Sequence, residues 1–196
     1  RLRSAPGTTE AGLVAGTTGA MSARRMGFGE DEATEAGVTL GGLTSSHGLT
    51  REAGEEIGAV GLDLAQRFRN TDNSIDHTRA VPAFEAASTA MAEARAAGIT
   101  DPQQLRTVAE HAVAARVNAD GTVNPPESKE RRDARMSTIR SAYRAANALP
   151  TPTAGQTRAV VQGAVKATEH VFDKTGGNQQ AAIEAGVKGG EASLTV

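Results

Sequence analysis

Asp72, Asp76 and His77 put two carboxylates and an imidazole within six residues, a set that could hold a metal ion or relay a proton. No second histidine or carboxylate pair is tied to them by spacing, so in a polar stretch they are expected to cap a helix or face water. His47, His111 and His170 stand without a motif around them; the last two lie beside expected helix faces and read as core-edge residues. Ser45-Ser46-His47 is loop-like, and no Ser/His/Asp triad can be assembled from the order of residues. The absence of Cys removes disulfides, thiolate metal sites and Cys nucleophiles. No catalytic residue and no cofactor is therefore assigned, and a non-enzymatic role is expected.

Residues 116–127, RVNADGTVNPPE, follow part of the pattern of a calcium-binding EF-hand loop. Asn118, Asp120, Gly121, Val123, Asn124 and Glu127 fall at its third, fifth, sixth, eighth, ninth and twelfth places. Gly at the sixth allows the sharp turn, and Glu at the twelfth would supply two oxygens. The first place, however, holds Arg116, a cation where the motif needs a carboxylate, and Pro125 and Pro126 stiffen the exit. The stretch is expected to be an Asp-Gly turn or short hairpin between two helices, with Asn118, Asp120, Asn124 and Glu127 the weak candidate calcium ligands. Asp173-Lys174-Thr175-Gly176 matches the four-residue phosphorylation motif of P-type ATPases, but the following Thr-Leu-Thr and the preceding strand are missing. A helix ending in a Gly pair explains it. No GxxxxGK[ST] phosphate loop occurs, and the GxxxG pairs are not dinucleotide fingerprints because no βαβ pattern surrounds them.

The remaining chemistry is basic. Over 127–148 an expected helix carries Lys129, Arg131, Arg132, Arg135, Arg140 and Arg144, with Met136, Ile139, Tyr143 and Ala146 on one stripe. Arg131, Arg132, Arg135, Arg140 and Arg144 are the candidate nucleic-acid contacts. They flank the stripe on both sides, Glu130 and Asp133 dilute them, and only Tyr143 is near for stacking. With a formal charge of −2 the chain as a whole has no field to hold nucleic acid or an anionic membrane.

The elements that would position these residues are helices. After a polar stretch at 71–80, taken as a linker, Pro82 reads as a first-turn proline for a helix to Ala97, with Gly98 capping its end. Asp101-Pro102-Gln103-Gln104 is a capping-box-like start for a helix to about Arg116. After the long basic helix comes a break at Pro150 and Pro152, a helix over 156–172, a turn at 173–178 and a last helix ending near Gly189. The sequence starts at Arg1 and not Met, so its start is expected to be a processed or internal residue, and its final residues are expected to fray.

Residues 1–70 repeat a short theme, EAGxxxG: Glu10-Ala11-Gly12 with Gly16, Glu35-Ala36-Gly37 with Gly41, and Glu52-Ala53-Gly54 with Gly58. A weaker copy is Glu184-Ala185-Gly186 with Gly189 or Gly190. Unequal spacing argues against a solenoid and for a recurring helix surface. In the third copy Ala53, Ile57, Val60, Leu64 and Phe68 make one helical stripe, and Gly54, Gly58, Gly61 and Ala65 form the adjacent row. Each interior Gly costs about 1 kcal/mol relative to Ala, roughly 8 kcal/mol over the three segments, as much as the whole stability of a typical domain. Close packing must offset that sum. Gly12, Gly16, Gly37, Gly41, Gly54, Gly58 and Gly61 are the expected interface, serving either a neighbouring helix of this chain or a partner's.

The fold expected is therefore all-α: a multi-helix bundle or an extended array of αα-hairpins with close-packed Gly/Ala-rich helices. Residues 1–70 would form a Gly-rich helical segment and 81–196 a bundle of about five helices. Four Phe and one Tyr leave the core to Ala, Val, Leu and Ile, and low aromatic content disfavours a walled small-molecule pocket. The longest uncharged stretches, 11–23 and 36–50, are shorter than the roughly 20 residues that span a bilayer. Abundant Arg, Ala and Gly fit a GC-rich bacterial genome. The expected function is a structural or interaction subunit of a larger bacterial or phage assembly (virion, secretion or conjugation component), with protein partners or self-association. The alternatives are a nucleic-acid-associated protein using the basic helix, and a membrane-inserting or ejected helical protein. The protein is expected to be soluble, and its localisation is otherwise left open.

Overall fold

The structure is a computed structural model that describes residues 7–194; the expectations for Arg1 and for the last two residues lie outside them. Among the described residues the chain is all helix: α1 (Glu10–Arg25), α2 (Glu30–Ser46), α3 (Arg51–Ala65), α4 (His77–Ala96), α5 (Pro102–Arg116), α6 (Lys129–Asn147), α7 (Ala154–Lys174) and α8 (Gln179–Ala192). The helix starts are written in short polar side chains. Thr9, Thr50, Asp76, Asp101, Ser128, Thr153 and Asn178 each accept a hydrogen bond from a backbone N–H of the first turn, and Thr153 with Gln156 completes a capping box. The end of α4 is turned by Gly98 at φ +89°, which lets the Ile99 N–H reach back to the Ala94 carbonyl at 3.0 Å.

The chain forms two compact units, dividing after Pro126. In the first, the antiparallel α1–α2 hairpin rests on α3, α4 packs against both α2 and α3, and α5 against α3 and α4. Leu40, Ile57, Leu62, Phe84, Met91 and Leu105 fill its core with less than 2% exposure. Ion pairs tie the layers at their edges: Arg95 with Glu56, and Arg106 with Asp63 at 2.7 Å. In the second unit α6, α7 and α8 form a three-helix bundle around Ile139, Tyr143, Val160, Val161 and Ala182.

Two expectations are corrected. The stretch 71–80 is no linker: it is a closed loop bonded to itself followed by the first turn of α4, and α3 and α4 pack on each other across it. The helices α4 and α5 accordingly belong with α1–α3 and not with the C-terminal bundle. The break falls instead at Pro125-Pro126, where two successive residues lack the N–H that a helix or loop could use. Pro82 is likewise not a first-turn residue, because Asp76 caps the helix earlier and Pro82 lies inside α4. The bond it cannot make would go to the carbonyl of Thr78, an exposed residue that water can serve.

Candidate functional site

The glycine rows are the most built feature of the molecule, and each finds its neighbour inside the chain. Gly12 and Gly16 of α1 meet Gly41 and Gly37 of α2, backbone against backbone: a Cβ on Gly16 would stand 2.5 Å from the Gly37 carbonyl oxygen, and one on Gly37 2.6 Å from that of Gly16. Gly54 faces Ala15 and Thr44, Gly58 faces Leu40, and Gly61 faces Ser88 and Phe84. Where backbone meets backbone, at Gly12, Gly16, Gly37 and Gly41, only glycine permits the approach, and the close packing gained offsets the helix-propensity cost. Of the two uses expected for these seven glycines, the structure places all of them against this chain's own helices.

The weaker fourth copy does the same work in the second unit. Gly163 of α7 lies against Gly189 of α8 and against Ser193 at its C-cap, as Gly12 lies against Gly41 and Ser45. In both hairpins the serine hydroxyl donates to the carbonyl four residues back, Ser45 to Gly41 at 2.8 Å and Ser193 to Gly189 at 2.9 Å. That bond gives each hydroxyl proton an acceptor where the oxygen is pressed against the facing glycine, and Ser45 Oγ accepts in turn from the Thr9 N–H at 3.1 Å. Gly186 marks the point where all three helices meet, since a Cβ there would stand 2.1 Å from Thr168 Oγ1 and 2.6 Å from Thr138 Cγ2. Thr138 and Thr168, both fully buried, bond to each other at 2.8 Å.

The basic helix spends part of its charge on ion pairs within its own unit. Arg135, 2% exposed, donates to both oxygens of Glu127, Nη1 at 2.8 Å, and to Glu169 Oε1 at 3.2 Å. Arg131 pairs with Glu169 and Asp173 and lies over the Phe172 ring at 5.0 Å. Arg132 donates to the Glu127 carbonyl at 2.5 Å. Arg140 is half-buried, and Arg144 alone of the five is exposed. Sequence reasoning missed the partners because Glu169 and Asp173 sit a whole helix away on α7. Asp173, the would-be phosphate acceptor, is thus the counter-ion of a buried-edge arginine.

In the loop after α5, Asp120 Oδ1 accepts from the backbone N–H and hydroxyl of Thr122, which lowers its carboxyl below the ordinary value. Asn118 and Asn124 pair their amides, at 3.1 and 3.0 Å, and the twelfth-place Glu127 spends its carboxylate on Arg135. Asn118 and Asn124 are thus engaged with each other and Glu127 with Arg135, and among the described residues no group of three or more His, Asp or Glu stands ready to hold a metal ion. Asp72 likewise accepts from the N–H and hydroxyl of Ser74, Asp76 caps α4, and the His77 ring packs near Phe28 with centroids 6.1 Å apart.

A cluster the sequence did not announce lies between α2 and α4. Phe28, Ala36, Val81 and Phe84 floor a shallow furrow edged by Glu32, Glu35 and Glu85, with no interior space for a ligand. Burial raises the Glu85 carboxyl above its ordinary value, the charge of Glu35 adds to this, and Arg116 at 3.8 Å opposes it. No helix among the described residues is long and apolar enough to cross a membrane. No family model, curated protein or solved structure matches the chain.

Proposed function

We propose that the protein is a non-enzymatic helical interaction subunit of a larger bacterial or phage assembly, and that its contact surface is the outer face of the α1–α2 hairpin. One observation supports this above others. Among the described residues four large hydrophobic side chains are exposed, and three of them, Leu13, Met21 and Val38, lie on this hairpin. Leu13 and Val38 each follow a seam glycine, Gly12 and Gly37, so at 100° per residue both emerge beside the seam on the side away from α3. Gly42, one turn on from Val38, is exposed and would meet nothing if it carried a Cβ, unlike every seam glycine. A low-charge face with small and apolar residues suits docking of another helix.

The test is the mass of the full chain in solution by light scattering, for the wild type and for Leu13→Lys/Val38→Lys. An oligomer or a partner complex that the double substitution reduces to a 20.1 kDa monomer supports the assignment. A wild-type chain that is a monomer at every concentration, with no partner contact mapped to these residues by crosslinking, sinks it.

A further inference from the structure

We infer that the loop between α3 and α4 and the loop after α5 are one cation-loop scaffold used twice, and that Arg79 does for the first what a bound divalent cation would do. The two loops share their backbone bonds and the bonds of their central Asp. Asn70 and Asn118 N–H donate to the Ser74 and Thr122 carbonyls, both at 2.9 Å; Asn73 and Gly121 N–H donate back to the Asn70 and Asn118 carbonyls; Asp76 and Asn124 N–H close the loops on Phe68 and Arg116. Asp72 and Asp120 make the same pair of bonds, to Ser74 and to Thr122. Residues Asn73 and Gly121 take the same positive φ, 68° and 87°, and the isolated bridges Arg69–Ile75 and Val117–Val123 coincide. The shared text is Asn-x-Asp-[Asn/Gly]-[Ser/Thr]-[Ile/Val]-[Asp/Asn].

Counted as a twelve-place cation loop, the first runs from Phe68 to Arg79, with oxygens at the third, fifth, seventh and ninth places in Asn70, Asp72, the Ser74 carbonyl and Asp76. The two places that should hold the outer carboxylates hold a ring and a guanidinium instead, and these meet: Arg79 lies over Phe68 at 5.7 Å. Arg79 Nε donates to Asp76 Oδ2 at 2.6 Å and Nη2 to the Arg69 carbonyl at 3.1 Å. Of the four oxygens Arg79 holds one, that of Asp76, together with the Arg69 carbonyl at the second place, so the positive charge beside the loop is part of the chain. It also reaches the second loop, since a Cβ on Gly121 would stand 3.6 Å from Arg79 Nη1. Closure of the α3–α4 corner is therefore independent of metal and dependent on Arg79.

The experiment uses the full chain and three variants, Arg79→Ala, Arg79→Lys and Phe68→Asp/Arg79→Glu, read by amide hydrogen exchange at Asn73, Asp76 and Gly121 and by melting temperature with calcium or chelator. The wild type should show no calcium-dependent shift up to millimolar levels. Arg79→Ala should speed exchange at Asn73 and Asp76 on the order of tenfold and at Gly121 by less, with Arg79→Lys in between. The double variant restores both carboxylate places, so it should bind calcium and recover slow exchange only with the ion present. A wild-type chain stabilised by calcium, unchanged exchange in Arg79→Ala, or a double variant that calcium neither folds nor protects would each overturn the inference.

Discussion

Glu85 and Asp63 show how the same residue type is set to opposite ends by its neighbours. Burial, then the nearby Glu35, raises the Glu85 carboxyl above its ordinary 4.5, whereas hydrogen bonding and charge from Arg106 hold Asp63 below 3.8. A raised acid binds its proton more tightly in the folded chain than in the unfolded one, so its contribution to stability grows as pH falls through the folded value and is lost above it. Asp63 has the opposite sign, its stabilisation present at neutral pH and lost as pH falls through its depressed value. The windows are separate, Glu85 acting above 4.5 and Asp63 below 3.8. Glu85→Gln is therefore expected to be more stable than the wild type at neutral pH, by about 0.5 kcal/mol or less because the site is partly exposed and screened. Urea denaturation should show the difference closing between neutral pH and the lower edge of the Glu85 window. A variant less stable than the wild type at neutral pH would mean that the Arg116 contact outweighs burial and repulsion.

At the scale of elements, glycines in α1 and α2 with the same helical cost have opposite uses. Gly16 touches the backbone of α2, and Gly42 touches nothing. Gly16→Ala gains about 1 kcal/mol of helix propensity but must push two backbones apart, an overpacking cost of about 1–3 kcal/mol. Gly42→Ala gains the propensity with no opposing contact. The first substitution is expected to lower the melting temperature and the second to raise it through a stability gain of about 1 kcal/mol; equal effects would show that the hairpin seam is not where the structure places it. The helices themselves were legible because caps and glycine stops act within a turn: Asp101, Gly98 and the stripe from Ala53 each declare an element locally, although α3 ends at Ala65, before the last residue of that stripe, Phe68. Whether a glycine row meets its own chain or a partner is a matter of which helix lies opposite, and the EAGxxxG text is the same in either case. The duplicated loop was legible too, in Asn70 to Asp76 against Asn118 to Asn124. It goes unread when the two ends, Phe68 and Arg79, carry the wrong residues for the motif being sought.

For the whole molecule, the polar look of 71–80 disguised the division, because a loop that satisfies its own backbone is as polar as a linker. Polarity alone does not separate them; the two prolines at 125 and 126, which cannot join any hydrogen-bonded ladder, mark the boundary better. The arginines of α6 illustrate the same limit, since only the three-dimensional placement of Glu169 and Asp173 converts a basic helix into the polar seam of a bundle. Two compact units should melt as two transitions. The sequence supplies a reporter: its single Tyr, Tyr143, is buried in the second unit, and there is no Trp, so intrinsic fluorescence follows that unit while helical circular dichroism follows both. Denaturant curves by the two probes should therefore not coincide. Gly186→Ala, which drives a methyl into the Thr138–Thr168 pair, should shift the tyrosine transition to lower denaturant and leave the remaining dichroism transition in place. Gly16→Ala should do the reverse. If both substitutions displace a single shared transition by both probes, the units fold as one cooperative body and the division at Pro126 has no thermodynamic meaning.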